Sequence, residues 1–293
     1  MENKSIITKN TYIEIGKELD NDWTNFIIFE WDILGEFNYI FEVKPEEFLE
    51  YAKDDIKLKE QKGLIDAMSN AKRAIECQID SIISILGYDY KIFDSRNSYL
   101  ETKKFIKEYF KEEVVDGLTD RIKLLQVLNI APTFLISKIR NLRNKVEHEY
   151  IMPTYQEVKE SIEIAELFIN SSMRKISISN RAIYFGNKYG LEECEGLNDS
   201  VYNAYRIHTN YICIEIDWYK KKSIINLTFV RDNKNTLPYY PNTSENTSYV
   251  INSDDEMYPY FLKVIYTKEY DLLPRILGYD LKTEYIKYIV VEG

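Results

Sequence analysis

The sequence predicts an α+β fold: a central all-α helical bundle flanked by β-strands, with a β-rich C-terminal domain. Three textures predict it. Near the start, Ile27, Phe29, Trp31 and Ile33 alternate with Ile28, Glu30, Asp32 and Leu34, the period of strands. From about Glu46 to Met173 apolar residues instead recur every three or four positions, the period of amphipathic helices. Beyond Met173 alternation returns, and sixteen of the 25 tyrosines lie from Tyr184 onward. The expected divisions are a β segment over 1–45, a helical domain over 46–173 and a β-rich domain over 174–293.

Taken in order, Thr11 to Val43 reads as strands, with a turn near Gly35 and a second strand at Tyr39 to Val43. Glu30 and Asp32 could form a carboxylate pair for acid or metal chemistry. A solvated strand face accounts for them more simply, because no histidine or third carboxylate stands at ligand spacing. Lys44-Pro45-Glu46-Glu47 opens a helix, since proline suits its first turn and acids suit its positive end. Leu64 to Leu86 is strongly helical, and Gly87 is placed to cap it. Within it, Lys72, Arg73, Glu76 and Asp80 form either an intrahelical salt-bridge ladder or, through Glu76, a support for polar groups on a neighbouring helix.

Tyr88 to Thr102 reads as a loop, followed by helical stretches at Lys103 to Glu113 and Leu118 to Leu128. Pro132 sets up the next helix, and Pro153 ends it, because the residue before a proline avoids helical geometry. Thr154-Tyr155-Gln156-Glu157 is a capping box for a last helix with the stripe Val158, Ile162, Ala165 and Ile169. Strands are expected at Lys175 to Ile178, Tyr211 to Trp218, Ile224 to Val230, Phe261 to Tyr266 and Glu284 to Val291. Leu237 to Asp255, rich in Pro, Asn, Ser and Thr, is the clearest loop. Tyrosines interleaved with Lys220, Lys221, Lys222 and Arg231 could stack on bases, although aromatics are common in strands. Whether the N-terminal strands join the C-terminal sheet is left open.

With 293 residues and 45% hydrophobic content, the chain can bury a substantial core. No apolar run is long enough to span a bilayer and no signal-peptide core opens the sequence, so no membrane partner and a cytoplasmic location are expected. Cys77, Cys194 and Cys213 are an odd count without a C-x-x-C pair, which argues against a disulfide framework or a thiolate metal site. The formal net charge of −10 argues against a protein that coats nucleic acid electrostatically. Ser137 to His148 differs. Lys138, Arg140, Arg143 and Lys145 against Glu147 give that stretch a local charge of 4 − 1 = +3.

The same stretch carries the chemistry. Leu135, Ile139, Leu142 and Val146 form an apolar stripe. At about 100° per residue, Arg140, Asn144 and Glu147 fall opposite that stripe, with Arg143 at one edge and His148 at the other. Histidine is the side chain whose ordinary titration spans neutral pH, and His148 is one of two in the chain; His208 reads as structural.

The spacing R-N-x-x-x-H-x-Y, at Arg143, Asn144, His148 and Tyr150, resembles the signature of the HEPN superfamily, where an arginine and a polar residue precede a histidine at a nearly fixed interval. Leu64 to Ile85 resembles the first long helix of such domains, and Pro153 to Phe168 resembles the last. The resemblance spans about Glu46 to Met173 and covers neither flank. It implies a HEPN-like bundle and a metal-independent endoribonuclease of the toxin or anti-phage, abortive-infection kind. Arg143, Asn144 and His148 would be catalytic, with Arg140 and Lys145 as further RNA contacts and Glu76 and Glu147 in support. Neither a cofactor nor a metal ligand is called for.

Arg143 and His148 lie about 140° apart on an ideal helix, too far round to clasp one phosphate easily. The resemblance implies a solution: two motif helices paired about a two-fold axis in a homodimer. It further makes Tyr150 a candidate site for AMP attachment by a partner antitoxin, whereas a packing role at the helix end is the plainer account. Two other readings stand beside the nuclease: a non-catalytic module that binds RNA or a nucleotide, and a chance motif in a structural protein. Finding His148 buried in its own core would favour the chance motif.

Overall fold

The computed structural model describes residues 9–31, 41–110, 118–131, 144, 146, 148–177, 182–187, 210–217, 224–230 and 247–292. In chain order the described elements begin with α1 (Lys9–Glu18), β1 (Phe26–Trp31), α2 (Pro45–Asp55) and α3 (Gln61–Ile85). Next come α4 (Leu100–Tyr109), α5 (Asp120–Val127) and α6 (Tyr155–Ser177). The chain continues with β2 (Ala182–Asn187), β3 (Tyr211–Asp217), β4 (Ile224–Val230) and β5 (Thr247–Ile251). It closes with α7 (Tyr258–Thr267), α8 (Leu272–Ile276) and β6 (Tyr288–Glu292). The fold is therefore mixed α+β. Two compact units result: one joins Met1–Leu34 to Ser179–Gly293, and the other is Gly35–Ile178.

The helical unit is built around α3. Glu46 and Glu47 follow Pro45 at the start of α2, and Glu47 Oε1 accepts the Lys44 N–H at 3.1 Å, the capping half that a side chain supplies. Ala67, Met68, Ala71, Ala74, Ile75, Ile79, Ile82 and Ile83 bury one stripe of α3, whose small residues let α2 approach closely. At Gly63 the approach is closest, since an added Cβ would meet the Asp55 carbonyl at 2.6 Å. Gln78 donates to Ser172 Oγ at 3.0 Å and ties α3 to α6 in the buried interior. Gly87, at φ 86°, ends α3 as the sequence predicts. Its N–H bonds the Ser84 carbonyl while the Tyr88 N–H reaches Ile83, a Schellman cap.

In the other unit a mixed six-stranded sheet runs in the order β5-β4-β3-β2-β1-β6. β1 pairs antiparallel with β2 and parallel with β6, so the N-terminal strand lies inside the C-terminal sheet. Register places Phe26, Ile28, Ile183, Phe185, Ile212, Ile214, Leu227 and Phe229 on one face. All of them are buried, each worth roughly 1.5–3 kcal/mol. Helices cover that face: Tyr12 of α1 meets Tyr249 and Phe261 edge-on, and Tyr270 meets Phe185. On the opposite face Ala182, Tyr211, Cys213 and Val230 cluster with Tyr184.

Several local expectations are corrected. Lys9–Glu18 is a helix, and Phe41 to Val43 are bends rather than a second strand, while Gly35, Tyr39 and Ile40 lie outside the described residues. Helix α4 already begins at Leu100, inside the expected loop. Helix α6 runs to Ser177, through the expected strand at Lys175. Phe261 to Tyr266 is helical because α7 is buried nearly all round, Lys263 included, and a short run that is otherwise apolar has no period to separate helix from strand. The polar stretch Leu237 to Asp255 contains β5, and residues 283–285 form a 3₁₀ turn before β6.

Glu30 is corrected too. It is 3% exposed, not solvated, and faces the helix-covered side of the sheet. Lys268, held at φ 58° where α7 ends, donates to its Oε2 at 2.8 Å, and Glu30 Oε1 has no hydrogen-bond partner among the described residues.

Candidate functional site

Of the motif, the structure describes Asn144, Val146, His148 and the run from Glu149 to Ser177; Arg140, Arg143, Lys145 and Glu147 lie outside the described residues. Positions 144, 146 and 148 are helical. Asn144 and His148 are exposed, and their four-residue separation stacks them on one helix face. Val146 is half-buried and lies about 200° round from each of them, where the stripe requires an apolar residue. An exposed imidazole one turn from an exposed carboxamide can exchange a proton with a ligand that the amide holds by hydrogen bonds. His148 is not buried in its own core.

The helix ends at His148, and Tyr150, two residues on, has a left-handed φ of 58°. Its side chain is 86% exposed, which overturns the packing role expected for it and leaves the hydroxyl open to solvent. Ile151, Met152 and Tyr155 are exposed beside it. Thr154 then caps α6 as expected: its N–H and hydroxyl both reach Glu157 Oε2 at 2.8 Å, and the Glu157 N–H returns to Thr154 Oγ1 at 3.3 Å. The motif segment thus runs directly into a firmly capped helix.

Glu76, the supporting carboxylate, pairs with Lys72 one turn away at 3.0 Å, so the intrahelical ladder accounts for it. Asp80 belongs elsewhere. Arg121 of α5 bonds Asp80 of α3 and, through Nε at 2.6 Å, Asp94 of the turn region after α3; its backbone N–H adds a bond to Asp94 Oδ1. Burial pushes the Asp80 carboxyl up to about 6, against the pull of Arg121. Cys77, desolvated beside Asp80, is pushed up to about 11, which removes it as a nucleophile at neutral pH.

Sequence reasoning missed the Arg121 cluster and the Glu30 pair. Both join residues far apart in the chain, and no spacing rule links them. Among the described residues no three or more His, Cys, Asp or Glu side chains gather as metal ligands, and no helix is long and apolar enough to cross a membrane. His208 and the lysines at 220–222 lie outside the described residues. No family model, no curated protein and no solved structure matches the chain.

Proposed function

We propose that the chain is a metal-independent endoribonuclease of HEPN type, acting as a toxin or anti-phage effector on RNA. The observation that carries this reading is the exposure of Asn144 and His148 on one helix face, at the spacing that the R-N-x-x-x-H motif requires. A surface histidine hydrogen-bonded to Glu147 or Asn144 would be exposed as well; what favours catalysis is the co-occurrence of Arg143 and Asn144 at the motif spacing. The local excess of cations between Ser137 and His148 supports a polyanionic substrate.

In this mechanism one His148 takes the proton of a ribose 2′-hydroxyl, whose oxygen attacks the adjacent phosphorus. The P–O5′ bond breaks, and a second, protonated His148 returns a proton to the leaving 5′-oxygen. Arg143 holds the charge gathering on the phosphoryl oxygens through its planar fork, and Asn144 orients the phosphate or the imidazole. Arg140 and Lys145 add phosphate contacts. The two histidines come from two copies of the chain, paired as an isologous homodimer around residues 137–150. Tyr150 in this scheme is where a partner antitoxin or defence-system protein would attach AMP and close the site.

Incubating RNA with the parent and with His148→Ala tests the proposal. The parent should yield 2′,3′-cyclic phosphate and 5′-hydroxyl ends in the presence of EDTA, and the variant should be slower by about 10²–10⁴-fold. Equal rates would overturn it. Binding without cleavage by the parent would leave the non-catalytic RNA-binding module.

A further inference from the structure

The sheet has two edges, and they are unlike. β5 presents Thr247 and Ser248 and a single exposed apolar residue, Val250 at 50%, whereas β6 carries Tyr288, Ile289 and Val290 in succession at 39%, 43% and 39% exposure. Three consecutive residues of a strand point to alternate faces, so partial exposure of all three marks an edge open from both sides. Among the described residues β6 has a neighbour on one side only, β1. A hydrophobic edge without an internal Lys or Pro is a template for another strand.

The ladder with β1 shows which backbone groups are available. The Phe26 N–H donates to the Lys287 carbonyl at 3.1 Å, and Phe26 stands opposite Tyr288. In a parallel pair that pattern turns the odd positions 287, 289 and 291 toward β1. The even positions 288, 290 and 292 direct their N–H and C=O away from it.

We infer that the free edge of β6 is a docking site for β6 of a second copy of this chain, antiparallel about a two-fold axis through Val290. Self-pairing through the outward groups requires even residues to stand opposite even ones, which also keeps each side chain on its own face. With Val290 opposite itself, position 288 meets position 292 on both sides of the axis, and every outward N–H and C=O of the three residues finds a partner. Ile289 then stands opposite position 291, a pairing of two β-branched residue types. Neither position 287 nor position 292 meets its own copy, so no like charges are apposed. Each copy carries −10, so association strengthens as salt screens the repulsion. This contact is separate from the pairing proposed around residues 137–150, and neither depends on the other.

The test uses the full chain. Amide exchange at Tyr288 and Val290 should slow at least tenfold between dilute and concentrated protein. In sedimentation equilibrium, Val290→Lys should weaken association at least tenfold, because it sets two lysines face to face at the axis, and so should Val290→Glu. Mixing the two variants should restore it, a rescue that requires position 290 to stand opposite itself and that a misfolded variant could not give. Exchange at 288 and 290 that is equally fast at every concentration would overturn the inference, whatever the mass of the particle. Failure of the mixture to associate while the parent does so would overturn it as well.

Discussion

Glu30 in the sheet-bearing unit and His148 in the helical unit are both titratable side chains on regular elements, yet they are treated in opposite ways. Glu30 is withdrawn from water, matched to one lysine and left with an unpartnered oxygen. His148 stands in solvent beside Asn144. A charge sunk in the core is committed to its partner, because losing that partner strands it in a medium that cannot solvate it. A group left in water keeps its proton exchangeable and is free to meet a ligand. Arg121, half-buried with two carboxylates, lies between these extremes.

Four measurements break or sharpen that contrast. The largest effect is expected for Lys268→Ala, which leaves Glu30 buried and unpaired and should cost on the order of 3 kcal/mol in denaturant unfolding. Glu30→Met, which removes the charge but keeps the bulk, should be neutral or stabilising; a loss as large as that of Lys268→Ala would mean that the carboxylate contributes something other than a paired charge.

Next comes Asp80→Asn, read as a pH dependence. The carboxyl rises from 3.8 to about 6 on folding, so the native state holds the proton more tightly than the unfolded chain. Stability from this group is therefore full below about pH 4 and falls as pH rises to about 6. Asn cannot ionise, so the variant's unfolding free energy should lack that decline. A parallel decline in parent and variant would assign it to another group.

Thr154→Ala removes the hydroxyl half of the α6 cap and should cost about 1 kcal/mol, visible as a lower midpoint of thermal unfolding. The smallest effect belongs to His148→Ala, which should change stability by less than about 0.5 kcal/mol while slowing the proposed cleavage by the factor given above. A large loss of stability would place His148 with Glu30 among the structural residues.

Legibility in the sequence tracks the range of the interaction. The Pro45 start of α2, the Gly87 end of α3 and the Thr154 to Glu157 box are set by residues within a few positions of one another, and all three are found as read. Strands β3 and β4 are equally plain, because Ile212, Ile214 and Ile216 and then Ile225, Leu227 and Phe229 recur at every second position, a period that helices lack. Helix α1 reads wrongly as a strand since Ile13 and Ile15 alternate like one. Its helical state rests on Tyr12 and Gly16 packing against Tyr249, Phe261 and Leu277, distant in the chain. The burial of Glu30 depends likewise on a lysine 238 positions away. For the candidate site, spacing puts Asn144 and His148 on one face and both are exposed, but neither the left-handed backbone of Tyr150 nor its exposure is something spacing predicts.

The place of β1 within the sheet has a consequence for biosynthesis. Its antiparallel neighbour β2 leaves the ribosome only after all of Gly35–Ile178 has been made, and β6, the neighbour on its other side, comes last of all. At about 5–20 residues per second, Ile27, Ile28 and Phe29 wait on the order of ten seconds for their first ladder partner. The uninterrupted helical unit can meanwhile close on itself, so the nascent polypeptide acquires its globule of helices while the oily strand ahead of it is still without a ladder partner.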